Sequence, residues 1–529
     1  MGGCDGEDQM IFKSAYPEVK IPEAGVAQFV LEGAAARGDK PALIDGPSGR
    51  TITFRELYGG VRRVAAGLAS RGFSKGDVMA IYSPNIPEYA VAFHGIALAG
   101  GIATTVNPLY TIDELTFQLK DSGARFIVTI PMFLENALEA AGRTGIEEVF
   151  VFGEGEGATP FAELLLAGDE PPDITIDPKE DLVAMPYSSG TTGLPKGVML
   201  THHNLVGNVN QALAPHTTSE EDVIIGVLPF FHIYGLTVIL NAALRQGATI
   251  VTMPRFDLEQ FLQLLQDHKV TRAYAVPPIV LALAKHPIVD NYDLSSLSLV
   301  MSGAAPLGQE LSEACAKRLD TLVIQGYGLT ETSPVTHVNP DEEAKIKSGS
   351  IGPLIPNTVA KVVDTSSGKE LGYDETGEIW IKGPQVMKGY LNNDEATKHT
   401  VDEDGYLHTG DIGYVDEDGY FYIVDRLKEL IKYKGFQVPP AELEAVLLSH
   451  PAVGDAAVIG VPDEEAGELP KAYVVKSGDV DEAEIIDYVA GHVSPQKKVR
   501  LVEFIDEIPK SASGKILRRV LVEKERAGA

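Results

Sequence analysis

Ten consecutive residues, Ser188-Ser189-Gly190-Thr191-Thr192-Gly193-Leu194-Pro195-Lys196-Gly197, carry the densest chemistry in the chain. Three glycines let backbone N–H groups turn toward one point, four hydroxyls add donors, and Lys196 adds a fixed positive charge. This is equipment for holding phosphate. An ATPase P-loop needs Gly directly before its lysine, Ser or Thr directly after it, and a helix following; Pro195 and Gly197 exclude it. Leu182-Val183-Ala184-Met185 before the loop and Val198-Met199-Leu200 after it read as strands, so a helix dipole is not its main source of positive potential. A flexible linker is the plain alternative, but linkers do not usually sit between two buried-looking strands with a lysine behind a proline.

A second string, Gln325-Gly326-Tyr327-Gly328-Leu329-Thr330-Glu331, follows an apolar run and offers an aromatic face for a base and a hard oxygen ligand for a cation bridging phosphates. In Ser302-Gly303-Ala304-Ala305-Pro306 the small residues let a flat ligand lie close to the backbone. The ten-residue loop resembles the phosphate-binding motif of the acyl-adenylate-forming enzymes: acyl-CoA synthetases, 4-coumarate:CoA ligases, beetle luciferases and peptide-synthetase adenylation domains. The resemblance extends from the Thr53 region to the Lys515 segment, with several motifs in order.

What the resemblance implies can be stated residue by residue. ATP or AMP is bound by Ser188, Ser189, Gly190, Thr191, Thr192 and Lys196, by Gly303 and Ala304, and by Gln325 and Gly326. Tyr327 stacks on adenine, Thr330 serves at the α-phosphate, and Glu331 takes Mg²⁺. Asp411, in His408-Thr409-Gly410-Asp411, accepts from the ribose hydroxyls, with Arg426 as a second contact. Lys515, in Pro509-Lys510-Ser511-Ala512-Ser513-Gly514-Lys515, bridges the acyl carboxylate and the α-phosphate. Lys432 faces the site in the later thioester step, where Lys434 and Gly435 meet CoA, and Lys428 belongs to a hinge over residues 425–428. His232 and Tyr234 line the acyl pocket with Met301, Gly303 and Gly328; Lys515, Lys432, His232 and Thr330 form the catalytic set. An ammonium suits both lysine roles, because negative charge accumulates on phosphorus oxygens and needs a preorganised cation. Gly377 to Gly383 reads as mainly structural.

The implied reaction has two stages. Carboxylate attacks the α-phosphorus of MgATP and pyrophosphate leaves; then the small domain turns, and the CoA thiol displaces AMP. Met301 departs from the pattern, since many plant hydroxycinnamate ligases carry Lys before this Ser-Gly and methionine offers no such donor. A more apolar floor follows, suited to cinnamate, benzoate-like or medium-chain fatty acids. A luciferase-like oxygenase and a carrier-protein-loading adenylation enzyme share most motifs. Ser333-Pro334-Val335 and the Ser511 to Lys515 ending favour the CoA ligase, and a non-catalytic binding module is expected to lose Lys515 or Lys432.

The 529 residues, 44% apolar, suffice for two or more globular domains. With 75 acidic against 44 basic residues the formal charge is −31, which opposes nucleic acid and anionic membrane, so sites for ATP and CoA need local cations. Cys4 and Cys315 form no CxxC pair, and His202-His203 lacks a spaced third ligand, Thr201 reading instead as a helix cap. No apolar signal segment opens the sequence, Gly6 stands where a myristoylation motif wants Ser or Thr, and the stretch Ala90 to Val106 is broken by His94 and Gly100-Gly101. The expectation is a cytoplasmic protein without a membrane span, with small-molecule carboxylic acid, ATP and CoA as partners and monomer or dimer left open.

These residues need strands that end at one place. Thr53 with Glu56, and Thr111 with Glu114, are capping boxes opening helices, the first closed by Gly72. Val78–Tyr82, Ile102–Val106 and Phe126–Val128 read as buried parallel strands. The alternation resumes with strands at 223–228, 248–252, 272–275, 298–301 and 322–325 and helices at 235–246, 257–268, 278–285 and 308–318. Segment 150–180 reads as a surface connection. The fold class is α/β: a large N-terminal domain of layered α/β sheets plus a small β unit (residues 1–424), then the hinge, then a small mobile α+β C-terminal domain (429–529).

Overall fold

A computed structural model describes residues 10–188, 195–463, 465–512 and 514–528. Ser189, Gly190, Thr191 and Thr192 of the phosphate loop, with Gly193 and Leu194, lie outside the described residues.

Two mostly parallel sheets form the large domain. One runs in the order Tyr187–Ser188, Lys196–Thr201, Leu182–Ala184, Ile102–Thr105, Val78–Tyr82, Ala124–Thr129, Glu148–Val151, Thr159–Pro160, with Gly389–Tyr390 paired to Lys196–Thr201. The other runs Val335–Val338, Leu322–Gly328, Leu299–Ser302, Arg272–Ala275, Val223–Gly226, Thr249–Thr252, Pro41–Asp45, Thr51–Thr53. Strand Val78–Tyr82 shows how the layers arise. Met79 and Ile81 enter one core, which also holds residues of the second sheet and of helices Phe54–Ser70 and Pro87–Leu98; Val78, Ala80 and Tyr82 enter another on the opposite face. All five side chains are buried, each large one contributing roughly 1.5–3 kcal/mol by leaving water. The capping boxes at Thr53 and Thr111 are formed in full, as is one at Thr201.

The small β unit is an antiparallel sheet of Phe12–Lys13, Val359–Val363, Gly377–Lys382, Leu407–Val415 and Phe421–Arg426. Beyond it lies a separate core on strands Ile431–Tyr433, Phe436–Val438, Val453–Asp463, Gly467–Lys476 and Leu501–Phe504 with helices Pro440–Ser449 and Glu482–Ala490. Asp425 and Arg426 still belong to the β-unit strand, and the turn begins after them, with the Leu427 N–H donating to Gly410 O at 2.8 Å.

Three local readings are corrected. The strand expected at 223–228 ends at Gly226. The helix expected at 235–246 starts as a π-helix, Gly235–Asn241, and becomes α-helical only over Ala242–Gln246. Segment 150–180 is more than a surface connection. It carries strand Thr159–Pro160 and the 3₁₀ helix Phe161–Leu166, whose Phe161 and Leu164 are buried. Gly67 permits that approach, since a Cβ there would lie 2.5 Å from Leu164 O. Among the described residues no helix is long and apolar enough to cross a membrane.

Candidate active site

Parallel strands from both sheets, Ile102–Thr105 in one and Leu299–Ser302 and Leu322–Gly328 in the other, deliver their C-terminal ends to one place, as open α/β sheets do for their ligands. There a cavity of about 1120 Å³ opens, larger than the roughly 300–1000 Å³ of common small-molecule sites, so a nucleotide and a second ligand fit together. Strand Leu322–Gly328 ends in Gly326, Tyr327 and Gly328 at its wall, followed by Thr330 and Glu331; strand Leu299–Ser302 leads to Gly303 and Ala304. Ser188 and Lys196 enter as antiparallel neighbours on the two strands that flank the phosphate loop. From the C-terminal segment come Lys510, Ser511, Ala512, Lys515 and Leu517.

At the phosphate-loop end, Glu331 Oε1 accepts from Ser188 Oγ at 2.9 Å and from Tyr390 Oη at 2.8 Å, and the Lys196 ammonium lies 4.7 Å above the Tyr390 ring. Among the described residues no three His, Cys, Asp or Glu side chains converge as a ready-made metal cage. A divalent cation here would rest on Glu331, with phosphate oxygens and water completing its shell. Mg²⁺ favours that arrangement, and the donor set fits it.

Tyr327 donates to Asp411 Oδ2 at 2.5 Å, and Arg426 Nε meets Asp411 Oδ1 at 3.1 Å. Burial pushes the Asp411 carboxyl up from its usual range, while Arg426 and the Tyr327 hydroxyl oppose the shift. Asp411 thus stands just behind the wall that Tyr327, Thr409, Gly410 and Arg426 line. Gln325 also lies behind the wall: it is buried, and its Oε1 accepts from Leu307 N at 3.0 Å, so its side chain props the loop after Gly303-Ala304 instead of lining the cavity.

On the acyl side, Asn85 organises the loop that carries His232. Its amide donates to Gly226 O at 2.8 Å and Leu228 O at 2.7 Å and accepts from Phe230 N at 2.7 Å. His232 Nδ1 accepts from Tyr234 N at 3.3 Å, which leaves the proton on Nε2. Burial, reinforced by Lys515, lowers the His232 pKa to about 4, so the ring is neutral. Tyr234 packs over Gly303, where a Cβ would lie 2.9 Å from its ring, and donates to Met301 O at 3.3 Å. The Met301 side chain fills the floor beside Gly326, 2.5 Å from where a Cβ would stand. Pro334 O would lie 1.9 Å from a Cβ on Gly328.

Lys515 reaches the cavity on a short loop. Its N–H donates to Ser511 Oγ at 3.1 Å, its carbonyl accepts from Ser511 N at 2.8 Å, and Gly514, at φ 75°, packs against Val276 of the large domain. Burial and then Arg426 lower its pKa to about 8, against Glu429 and Asp411. Lys428 lines the same cavity. Lys432, Lys434 and Gly435 do not: they are exposed on the hairpin Ile431–Tyr433/Phe436–Val438, with Lys434 Nζ 2.7 Å from Glu465 Oε1.

Tyr390 and Asn85 were not legible in the sequence. Tyr390 arrives through a two-residue pairing with Val198 and Met199 and has no local motif; Asn85 sits in Asn-Ile-Pro and looks like a turn residue. His202 is internal, accepting from Val26 N at 3.0 Å.

Comparison with known proteins agrees with this geometry. The family model for the AMP-binding enzyme matches residues 30–391, and that for the AMP-binding enzyme C-terminal domain matches residues 442–515. The chain is 46% identical to 4-coumarate–CoA ligase 3 of Oryza sativa subsp. japonica over 100% of its own length and 97% of the relative's. It is likewise 46% identical to 4-coumarate–CoA ligase 2 of Petroselinum crispum over 100% and 99%. Among solved structures it resembles ATP-bound MatB from Rhodopseudomonas palustris, with TM-score 0.86, 31% identity and coverage of 95% and 99%. The anthranilate CoA ligase AuaEII in complex with anthranoyl-AMP gives TM-score 0.88, 28% identity and coverage of 96% and 98%. With both of its parts matched in order and its strands converging as described, the chain belongs to the AMP-binding enzyme family.

Proposed function

We propose that this protein is an ATP-dependent, AMP-forming carboxylate:CoA ligase acting in the cytoplasm, similar to the 4-coumarate–CoA ligases it matches. The observation that carries the reading is the delivery of Lys515, from the C-terminal segment, into the cavity that Lys196, Thr330 and Glu331 line at one end and His232 and Met301 at the other. A carboxylate held at His232 Nε2–H and Lys515 attacks the α-phosphorus of ATP, the bond to the β-phosphate oxygen breaks, and pyrophosphate leaves. Lys196, Thr330 and Lys515 hold the negative charge that accumulates on the phosphorus oxygens. When bound at Glu331, Mg²⁺ supplies charge neutralisation between phosphates. Tyr327 presents its face to adenine, and Asp411 with Arg426 orients the ribose. The small domain then turns about residues 425–428, Lys515 leaves, and Lys432 with Lys434 and Gly435 faces the site. There the CoA sulfur attacks the acyl carbon and AMP departs.

The Met301 floor bears no hydrogen-bond donor, so acids with an apolar distal end (cinnamate, benzoate-like or medium-chain acids) suit it better than a para-hydroxylated ring. Pyrophosphate release across a panel of carboxylic acids, with and without CoA, tests both statements. Release and acyl-CoA formation with the apolar acids are expected. No release with any acid contradicts the ligase reading, and a strong preference for 4-coumarate over cinnamate contradicts the pocket assignment.

A further inference from the structure

Immediately behind Lys515 lies an ion network that the proposed chemistry does not use. Arg518, three residues on, opens the terminal helix Arg518–Gly528. Its Nη2 donates to both Glu444 oxygens, at 2.8 and 2.7 Å, its Nη1 pairs with Glu429, and its Nε donates to Val458 O at 3.3 Å. Glu444 Oε1 also accepts from Val458 N at 2.8 Å. Glu429 sits in the turn at which the two domains meet, its N–H donating to Arg426 O at 3.0 Å. Asp425, at the end of the β-unit strand, accepts from Ala441 N at 2.8 Å on the helix that carries Glu444. The pivot turn, that helix and the Lys515 loop are therefore tied at one guanidinium, whose fork holds two carboxylates in fixed directions where a flexible ammonium could not.

The charges that act most strongly on Lys515 come from several surrounding elements. Arg426 and Asp411 come from the β unit, Glu429 from the turn, Arg518 from the terminal helix and neutral His232 from the acyl loop. Two of these are cations and two are anions. Glu429 touches Arg518 and faces Lys515, so losing its charge leaves two cations, Arg426 and Arg518, facing Lys515 against one anion, Asp411, which is already paired to Arg426.

We propose that Glu429 and Arg518 are positioning residues for the adenylation step: the Glu429–Arg518–Glu444 ion triad seats the Lys515 loop against the pivot turn, with the Glu429 carboxylate on the side of the Lys515 ammonium. The proposal rests on the ligase reading. Because the thioester step withdraws Lys515, the triad matters to one half-reaction and not the other.

The test uses the full chain and two assays: ATP–pyrophosphate exchange with an acid the wild type adenylates, followed against pH, and acyl-CoA formation from supplied acyl-adenylate and CoA. Glu429→Gln is expected to move the alkaline limb of exchange kcat/KM down by about half a pH unit or more, since an anion beside the ammonium is gone. Glu429→Asp is expected to restore much of the limb. Arg518→Gln is expected to slow exchange about tenfold through a misplaced loop, with the limb moving upward, because a neighbouring cation has been removed. Thioester formation stays near wild type in all three. An alkaline limb for Glu429→Gln that coincides with wild type overturns the proposal, as does an equal fall in both half-reactions. If Arg518→Gln does not fold, the Glu429→Gln limb alone decides. A wild type that exchanges with no acid sinks the ligase reading and the proposal with it; a wild type that exchanges beside variants that behave identically sinks the proposal alone.

Discussion

Lys515 has its pKa drawn down to about 8 by burial and Arg426, so its charge is present below that value and lost as pH rises through it. Adenylation kcat/KM, which reports the free enzyme, is therefore expected to fall on the alkaline side of about 8. A guanidinium stays charged throughout that range, so Lys515→Arg removes the limb while lowering the rate, and a pH profile of exchange checks both. His232, held neutral with a pKa near 4, contributes no limb above that value. Close packing sets a second expectation. A Cβ on Gly328 meets the backbone oxygen of Pro334 at 1.9 Å, which no rotamer change relieves, so Gly328→Ala is expected to cost about 1–3 kcal/mol, read as a lower Tm. Gly326→Ala meets only the flexible end of Met301 and costs less.

Helix His202–Leu213 holds the phosphate strand to the segment that brings Tyr390. Asn204 completes the Thr201 capping box through Oδ1, and its Nδ2 donates to Pro384 O at 2.8 Å and Val386 O at 3.0 Å. Asn204→Ala leaves those half-buried carbonyls without their donor and removes the cap, and is expected to destabilise by about 1–3 kcal/mol, measured by denaturant unfolding, and to loosen Tyr390. Elements of this kind were readable to different depths. The parallel strands were legible because burial on both faces writes continuous apolar runs, and the capping boxes because both partners lie within four residues. The 3₁₀ helix Phe161–Leu166 was hidden by Gly, Glu and Pro around it, although Phe161 and Leu164 were its signal. The Tyr187–Ser188 and Gly389–Tyr390 strands exist only through pairing with Lys196–Thr201, a tertiary fact. The same limit applies at the cavity. Lys196, Tyr327 and Lys515 stand in recognisable strings, whereas Tyr390 and Asn85 are defined by partners more than a hundred residues away. Gln325, within such a string, faces the core.

Across the whole molecule, a formal charge of −31 repels anionic ligands except where cations are concentrated, and Lys196, Arg426 and Lys515 all line the one cavity. The C-terminal domain presents Lys515, with Lys510 beside it in the same segment, to that cavity and holds Lys432 exposed on a hairpin of the same small domain. If a single domain serves two steps by turning, Lys515 and Lys432 separate the steps. The direct measurement is the pair of half-reactions in Lys515→Ala and Lys432→Ala. Lys515→Ala is expected to lose ATP–pyrophosphate exchange by a factor of about a hundred or more while still converting supplied acyl-adenylate and CoA to thioester, and Lys432→Ala to show the reverse. Exchange at the wild-type rate in Lys515→Ala, or equal losses in both assays for both variants, would contradict the account.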